Sequence, residues 1–229
     1  TSDASRPGWP SRKRGHLFVR IVAGKFRRRK LKTNPGLTTR PITDRVKEQL
    51  FARIDRLTSL DEWNIADVFA GTGTMGLEAI SRGAAGCVFI EMDPRAHQLL
   101  RENVAMLELQ DSTLCWKTDV LRSSFLPKNV DHLLPYNLIF FDPPYKMAVD
   151  LQPEKPLYRS IERLTRNTVS ADDAWLMVRT AEGTDITLPQ EWSLEDRFYA
   201  SSMDIRIFAK QSADQSTVDN AVETQSSDD

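Results

Sequence analysis

Cysteine and histidine are scarce, with two and three copies among 229 residues. Cys87 and Cys115 lie far apart inside apolar stretches and lack C-x-x-C spacing. That excludes a disulfide framework and a zinc site, and predicts two small core residues. His16, His97 and His132 are scattered, so their local sequence assembles no nucleophile, base and acid. Long apolar runs are also lacking: Leu138 to Phe141 is typical, far below the roughly 20 residues needed to span a bilayer, so membrane insertion is excluded. Residues 1–16 are polar and basic with no apolar h-region, so no secretory signal is expected there and a cytoplasmic address follows. No internal repeat is visible.

What is present suits one ordinary globular domain with tails: 40% of the residues are hydrophobic and 28% charged. A net charge of −1 conceals a polarised distribution. Residues 1–32 carry eleven Lys/Arg against the single acid Asp3, whereas residues 211–229 carry five acids and no base. One end should seek polyanions and the other avoid them. The expected organisation is a flexible basic tail over 1–15, a domain over 16–209 whose first part (16–57) is a basic hairpin plus helix, and a disordered acidic tail over 210–229.

From His16 to Lys32, two β-prone runs flank Gly24-Lys25 and read as a hairpin that puts Arg27 to Lys30 on its second strand. Asn34-Pro35-Gly36 is a turn. Thr43 is the expected N-cap of a helix presenting Val46, Leu50, Ile54 and Leu57 on one face. Then apolar runs (65–69, 87–90, 113–117, 137–141, 174–179) alternate with helical patterns (75–81, 95–107, 157–164), which predicts βαβ units. Trp192–Ala200 and Met203–Ala209 are joined by a turn too short for a crossover helix. The expected fold is α/β, a doubly wound, mostly parallel seven-stranded sheet with a C-terminal antiparallel pair and an N-terminal basic β-hairpin.

Gly71, Gly73 and Gly76 follow the first strand and open a helix, satisfying G-x-G-x-x-G, with Glu91 twenty residues after Gly71. A dinucleotide-binding loop and a bare strand-to-helix turn both fit that text. Asp67, four residues before the first glycine, separates the ligands: a carboxylate repels a pyrophosphate at the helix N-terminus but favours the ammonium and sulfonium of S-adenosyl-L-methionine. Glu91 would accept both ribose hydroxyls under either reading. Asp93 precedes Pro94 and reads first as a helix cap; Asp119 could accept the adenine amine or cap a helix. The expected cofactor set is Asp67, Phe69, Ala70, Gly71, Gly73, Gly76, Glu91, Met92, Asp93 and Asp119.

Asp142-Pro143-Pro144-Tyr145 follows the strand Leu138 to Phe141. Two prolines stiffen the turn and remove backbone donors, leaving carbonyls and the Asp142 carboxylate as acceptors. A nucleobase amine needs that surface: accepting its hydrogens at Asp142 and the Pro143 carbonyl frees the nitrogen lone pair, and the carboxylate stabilises the positive charge that develops there. Tyr145 offers a face for stacking. Asp142, Pro143, Pro144 and Tyr145 are the expected catalytic residues. No metal is expected.

Arg20 to Leu31, Arg40 to Phe51, the Asp67 to Gly76 loop, Ile90 to Asp93 and Asp142 to Tyr145 together resemble the bacterial small-subunit ribosomal RNA guanine-N2 methyltransferases of the RsmD type, over about residues 17–209. The resemblance implies a class I methyltransferase fold and methylation of guanine 966 of 16S RNA on a partly assembled small subunit. A monomer is expected. It implies that Thr43, Asp44 and Arg45 lie near the cofactor or RNA entrance. The expected RNA-binding residues are Lys25, Arg27, Arg28, Arg29, Lys30, Arg40, Thr43 and Arg45, with phosphate contacts that are salt-sensitive and sequence-independent. Three residues depart from the family's text: Ile42 stands for a threonine, Ala200 for a glycine, and Arg179 follows the fifth strand where an acid is common. The rival readings are a DNA adenine-N6 methyltransferase, a catalytically silent RNA-binding assembly factor and a dinucleotide-dependent oxidoreductase.

Overall fold

The computed structural model describes residues 19–33 and 42–211. The predicted tails, the start of the first hairpin run, the Asn34 to Gly36 turn and Arg40 lie outside the described residues, apart from Lys210 and Gln211. In chain order the elements are β1 Val19–Arg20, β2 Lys30–Leu31, α1 Asp44–Leu57, β3 Asn64–Val68, α2 Thr74–Ser81, β4 Gly86–Ile90, α3 Pro94–Met106, β5 Thr113–Trp116, β6 Tyr136–Phe141, α4 Tyr145–Ala148, α5 Pro156–Leu164, β7 Ser170–Ala181, β8 Trp192–Ala200 and β9 Met203–Lys210.

Seven strands form one sheet in the order β5-β4-β3-β6-β7-β9-β8. The first five strands in that order are parallel, and β9 pairs antiparallel with both β7 and β8. The β8–β9 turn, Ser201-Ser202, takes positive φ at both positions (52° and 66°), the geometry that joins twisted strands tightly. Strand order reverses between β3 and β6, so the crevice of this doubly wound sheet lies beyond their carboxyl ends.

Period-two alternation distributes the core. Leu138 and Phe140 join the apolar cluster that includes Val46, Leu50, Phe51 and Ile54 of α1, Leu77 of α2 and Leu100 of α3. Ile139 and Phe141 join the opposite cluster with Leu157, Ile161 and Leu164 of α5. The Phe51 and Phe140 rings pack with centroids 5.8 Å apart. Thr43 caps α1, its hydroxyl accepting the Val46 N–H, and Asp93 caps α3 by accepting from Arg95 and Ala96, with Pro94 opening the helix. Cys87 is buried, but Cys115 is only partly so, because it sits on the edge strand β5.

The hairpin departs from expectation. Its strands are two residues each, with Val19 opposite Leu31 and Arg20 opposite Lys30. Of the basic run only Lys30 is on a strand, while Lys25 to Arg28 form a turn in which Arg28 takes φ 71°. The ladder stops because the connecting loop gives its amides to tertiary partners. Val22 and Ala23 donate to Glu78 at 2.7 and 3.0 Å, Lys25 donates to the Ser81 carbonyl at 2.7 Å, and Phe26 donates to Ser81 Oγ at 2.9 Å. Gly24, at φ 77°, lies so close to α2 that a Cβ there would be 1.6 Å from the Ser81 oxygen. The loop is thus docked on the end of the helix that the glycine turn begins.

Candidate active site

The site is built where β3 and β6 end side by side. Val68 pairs with Phe141, and Asp142 N–H donates to the Val68 carbonyl at 3.3 Å. The two loops singled out in the sequence therefore leave adjacent strands together. After Val68 the chain turns sharply, with positive φ at Phe69, Gly71 and Gly73 (64°, 56° and 84°). The Phe69 ring packs edge-on against Phe141, centroids 5.5 Å apart, so a side chain of one loop is seated on the strand of the other. Ala70 N–H donates to the Ile90 carbonyl at 3.0 Å, tying the turn to β4. Gly73 precedes α2, and Gly76 lies so near β4 that a Cβ would fall 2.4 Å from Phe89 and 2.6 Å from Cys87.

Asp67, 2% exposed, accepts the Gly76 N–H at 2.9 Å. Burial pushes its carboxyl up to about 8; the Gly76 amide opposes this, the charges of Asp142 and Glu91 add to it, and Arg179 opposes it. Glu91 accepts Gly71 N–H at 2.8 Å and Asp93 N–H at 2.7 Å, so one carboxylate ties the glycine turn to the end of β4. Burial raises its pKa against those two amides. Met92 beside it is exposed. Asp93 serves as the α3 cap. Asp119 caps a turn rather than a helix, accepting Leu121 N–H at 3.0 Å.

At the second loop, Pro144 precedes α4 and its carbonyl accepts Met147 N–H at 2.7 Å, so Tyr145 opens a short helix and is half-buried. The Asp142 side chain is 18% exposed and is gripped by Arg179: Nε donates to Oδ1 at 2.6 Å, and Nη2 lies 2.5 Å from Oδ2. Burial raises the Asp142 pKa and Arg179 pulls it back down. Arg179 lies inside β7 rather than after it. Its sequence, read as a departure from the family's text, does not reveal this pairing, since nothing local to residue 179 points to residue 142.

The crevice thus gathers three carboxylates, Asp67, Glu91 and Asp142, with Arg179 already engaged by one of them. This donor set suits an adenosine-bearing cofactor with positive charge and repels a pyrophosphate. Among the described residues no group of three or more His, Cys, Asp or Glu is arranged to hold a metal ion, and no helix is long and apolar enough to cross a membrane.

The predicted RNA-binding residues divide. Lys25, Arg27, Arg28, Arg29 and Lys30 are exposed together on the hairpin, and Arg45 is exposed on the first turn of α1. Thr43 is engaged as the α1 cap. Sequence reasoning missed the residues that fasten this basic loop. Fully buried Lys47 lies 3.6 Å from fully buried Glu78 and donates to the Arg20 carbonyl. Asn103 of α3 exchanges hydrogen bonds with the Lys32 backbone and donates to Thr72 of the glycine turn at 2.9 Å.

An acidic, glycine-turned crevice at the switch point of a sheet that ends in an antiparallel pair defines a class I methyltransferase fold. The sequence profile of a family described as conserved hypothetical protein 95 matches residues 19–208, and the chain belongs to that family. Ribosomal RNA small subunit methyltransferase D of Escherichia coli K12 is 33% identical over 204 residues, 88% of this chain and 94% of its own. The protein of the same description from Haemophilus influenzae is 30% identical, covering 77% of this chain and 86% of its own. A solved Escherichia coli protein, described as a candidate methyltransferase, superposes with TM-score 0.68 at 33% identity, over 85% of this chain and 99% of its own. An RNA methyltransferase from Salinibacter ruber, solved with S-adenosyl-L-homocysteine, shares the fold at TM-score 0.53 and 13% identity, over 75% of this chain and 94% of its own.

Proposed function

We propose that this protein transfers the methyl group of S-adenosyl-L-methionine to the exocyclic N2 amine of a guanine in small-subunit ribosomal RNA, at the position equivalent to guanine 966 of 16S RNA. The observation that carries the reading is the hydrogen bond from Asp142 N–H to the Val68 carbonyl, which joins an acidic glycine loop to an Asp-Pro-Pro-Tyr loop whose two prolines carry no backbone donor. The curated relatives named for small-subunit rRNA methylation support the substrate class.

When bound, the cofactor supplies an electrophilic methyl group on a positively charged sulfur. Glu91 is suited to accept the ribose hydroxyls, its two oxygens retaining lone pairs beyond those given to Gly71 and Asp93. Asp67 favours the cationic methionine end. Asp142 and the Pro143 carbonyl accept the two hydrogens of the guanine amine, which frees its lone pair, and the carboxylate stabilises the charge developing on nitrogen. Tyr145 stacks on the base, and alignment of nitrogen, methyl and sulfur supplies the remaining acceleration. The exposed cations from Lys25 to Lys30, with Arg40 and Arg45, bind phosphates around the target. The substrate is a partly assembled subunit, bound by a monomer in the cytoplasm.

The test is transfer of a labelled methyl group to small ribosomal subunits from cells lacking this protein, with duplex DNA in parallel and mass mapping of the RNA product. Label on a guanine N2 is expected. Label in DNA alone, or on another atom of the RNA, overturns the assignment.

A further inference from the structure

The Asp142 carboxylate has a partner that the proposed reaction does not by itself require. Val178 pairs with Phe141 in the β6–β7 ladder, so Arg179 stands beside Asp142 one residue further along both chains. The guanidinium grips both carboxylate oxygens, Nε to Oδ1 at 2.6 Å and Nη2 to Oδ2 at 2.5 Å, and Nη1 reaches Met203 Sδ on β9 at 3.5 Å. The Arg179 side chain is 7% exposed. Such a fork fixes the plane of a carboxylate as well as its charge. It occupies one lone pair on each oxygen, and a carboxylate has about four acceptor sites, so others remain.

We propose that Arg179 is a positioning residue: it holds the Asp142 carboxylate ionised and in one orientation, so that its remaining lone pairs accept the guanine amine. The inference rests on the reading given under Proposed function and assigns a role to a side chain outside both sequence motifs. In the transfer, the N–C bond forms as the C–S bond breaks, sulfur leaves as a neutral thioether, and the nitrogen sheds one proton to water. Because the Arg179 fork keeps Asp142 ionised, the carboxylate stabilises the charge on nitrogen without taking that proton.

The titratable groups facing this pair are Asp67 from β3, itself held protonated up to about pH 8, and Tyr145 from α4. From β9 the neighbour is Met203, while Asp204 is turned to Arg197 and Arg206. With Arg179 removed, burial favours protonation of Asp142, and a protonated oxygen donates where the amine needs an acceptor.

The experiment compares wild type, Arg179→Lys, Arg179→Met, Asp142→Asn and the double variant Arg179→Met/Asp142→Asn in methyl transfer to small subunits across pH. For Arg179→Met we expect kcat to fall roughly 10- to 100-fold, as when a group orienting a reacting residue is lost. KM for the subunit should stay within a few fold, and the acidic limb of the kcat profile should move to higher pH. Arg179→Lys should restore part of the rate and return the limb toward wild type. The double variant, which buries no unpaired charge if Arg179→Met alone fails to fold, should be no slower than Asp142→Asn, since one residue acts through the other. An unmoved acidic limb, additive losses or a faster Arg179→Met enzyme would overturn the inference. A wild-type protein that methylates no small-subunit RNA would instead overturn the functional reading, and the inference with it.

Discussion

Lys47 and Glu78 meet 3.6 Å apart with neither side chain exposed to solvent, and between them they hold the backbone of the basic hairpin. Lys47 donates to the Arg20 carbonyl, and Glu78 receives the Val22 and Ala23 amides. Burial lowers the Lys47 pKa while Glu78 opposes that shift. The pair bridges α1 and α2, so the proposed RNA-binding surface is fastened to the helix that follows the glycine turn.

Glu78→Ala should therefore destabilise the fold by about 3–5 kcal/mol, the usual result of breaking a buried ion pair by removing one partner, since the Asp44 contact left to Lys47 is longer, at 3.9 Å, and partly exposed. Two orphaned amides add to the loss. Urea unfolding measures it. Replacing both residues, as Lys47→Met with Glu78→Gln, should recover much of the deficit; equal stability of Glu78→Ala and wild type would show that the pair does not anchor the hairpin.

Asp67 predicts a pH dependence with a definite sign. Its carboxyl titrates at about 8 when folded, against an ordinary value of 3.8. Between those values the folded protein holds a proton that the unfolded chain has released, so this group's contribution makes stability fall as pH rises from about 4 to 8, and the fall levels off above. A cationic cofactor favours the ionised form, so binding below about pH 8 should release a proton and tighten as pH rises toward that value. Calorimetry in buffers of different ionisation enthalpy reads the proton directly. Asp67→Asn should abolish both the release and this component of the stability slope.

Asp142→Ala removes the proposed acceptor of the guanine amine and should lower kcat by at least about 100-fold. Cofactor affinity should change by no more than a few fold, because Glu91 and the glycine turn are untouched. Stability should fall as well, since Arg179 is left buried without its carboxylate. Single-turnover transfer, cofactor titration and thermal melting separate the three effects. Parallel loss of cofactor binding would mean that Asp142 serves the cofactor instead.

Neutralising Arg27, Arg28 and Arg29 as glutamines should weaken RNA binding and reduce the slope of log K against log salt by about 2 to 3, close to one for each phosphate that no longer meets a cation. These side chains are exposed in and beside the hairpin turn, so melting temperature should scarcely change. Filter binding over a salt series checks it, and an unchanged slope would return the run to a solvated turn.

The sheet, the two loops and both expected caps are legible in the sequence because each is written in short-range signals. Alternation in Leu138 to Phe141 places side chains on opposite faces, glycine spacing permits the turn after Val68, and Asp93-Pro94 opens α3 through bonds spanning three residues at most. Arg27 to Arg29 read as strand yet lie off it, because β-propensity ignores what the preceding loop meets: Glu78 and Ser81 take its amides and end the ladder.

What the sequence alone determined is the order of elements and the identity of the acceptor and glycine loops, since dihedral preference and side-chain periodicity act between near neighbours. What only the tertiary structure decided is how those loops are held. Arg179 reaches Asp142 across 37 positions, and Asn103 reaches Thr72 across 31. Such pairings depend on strand order, register and helix docking, which come into being only when the whole chain packs.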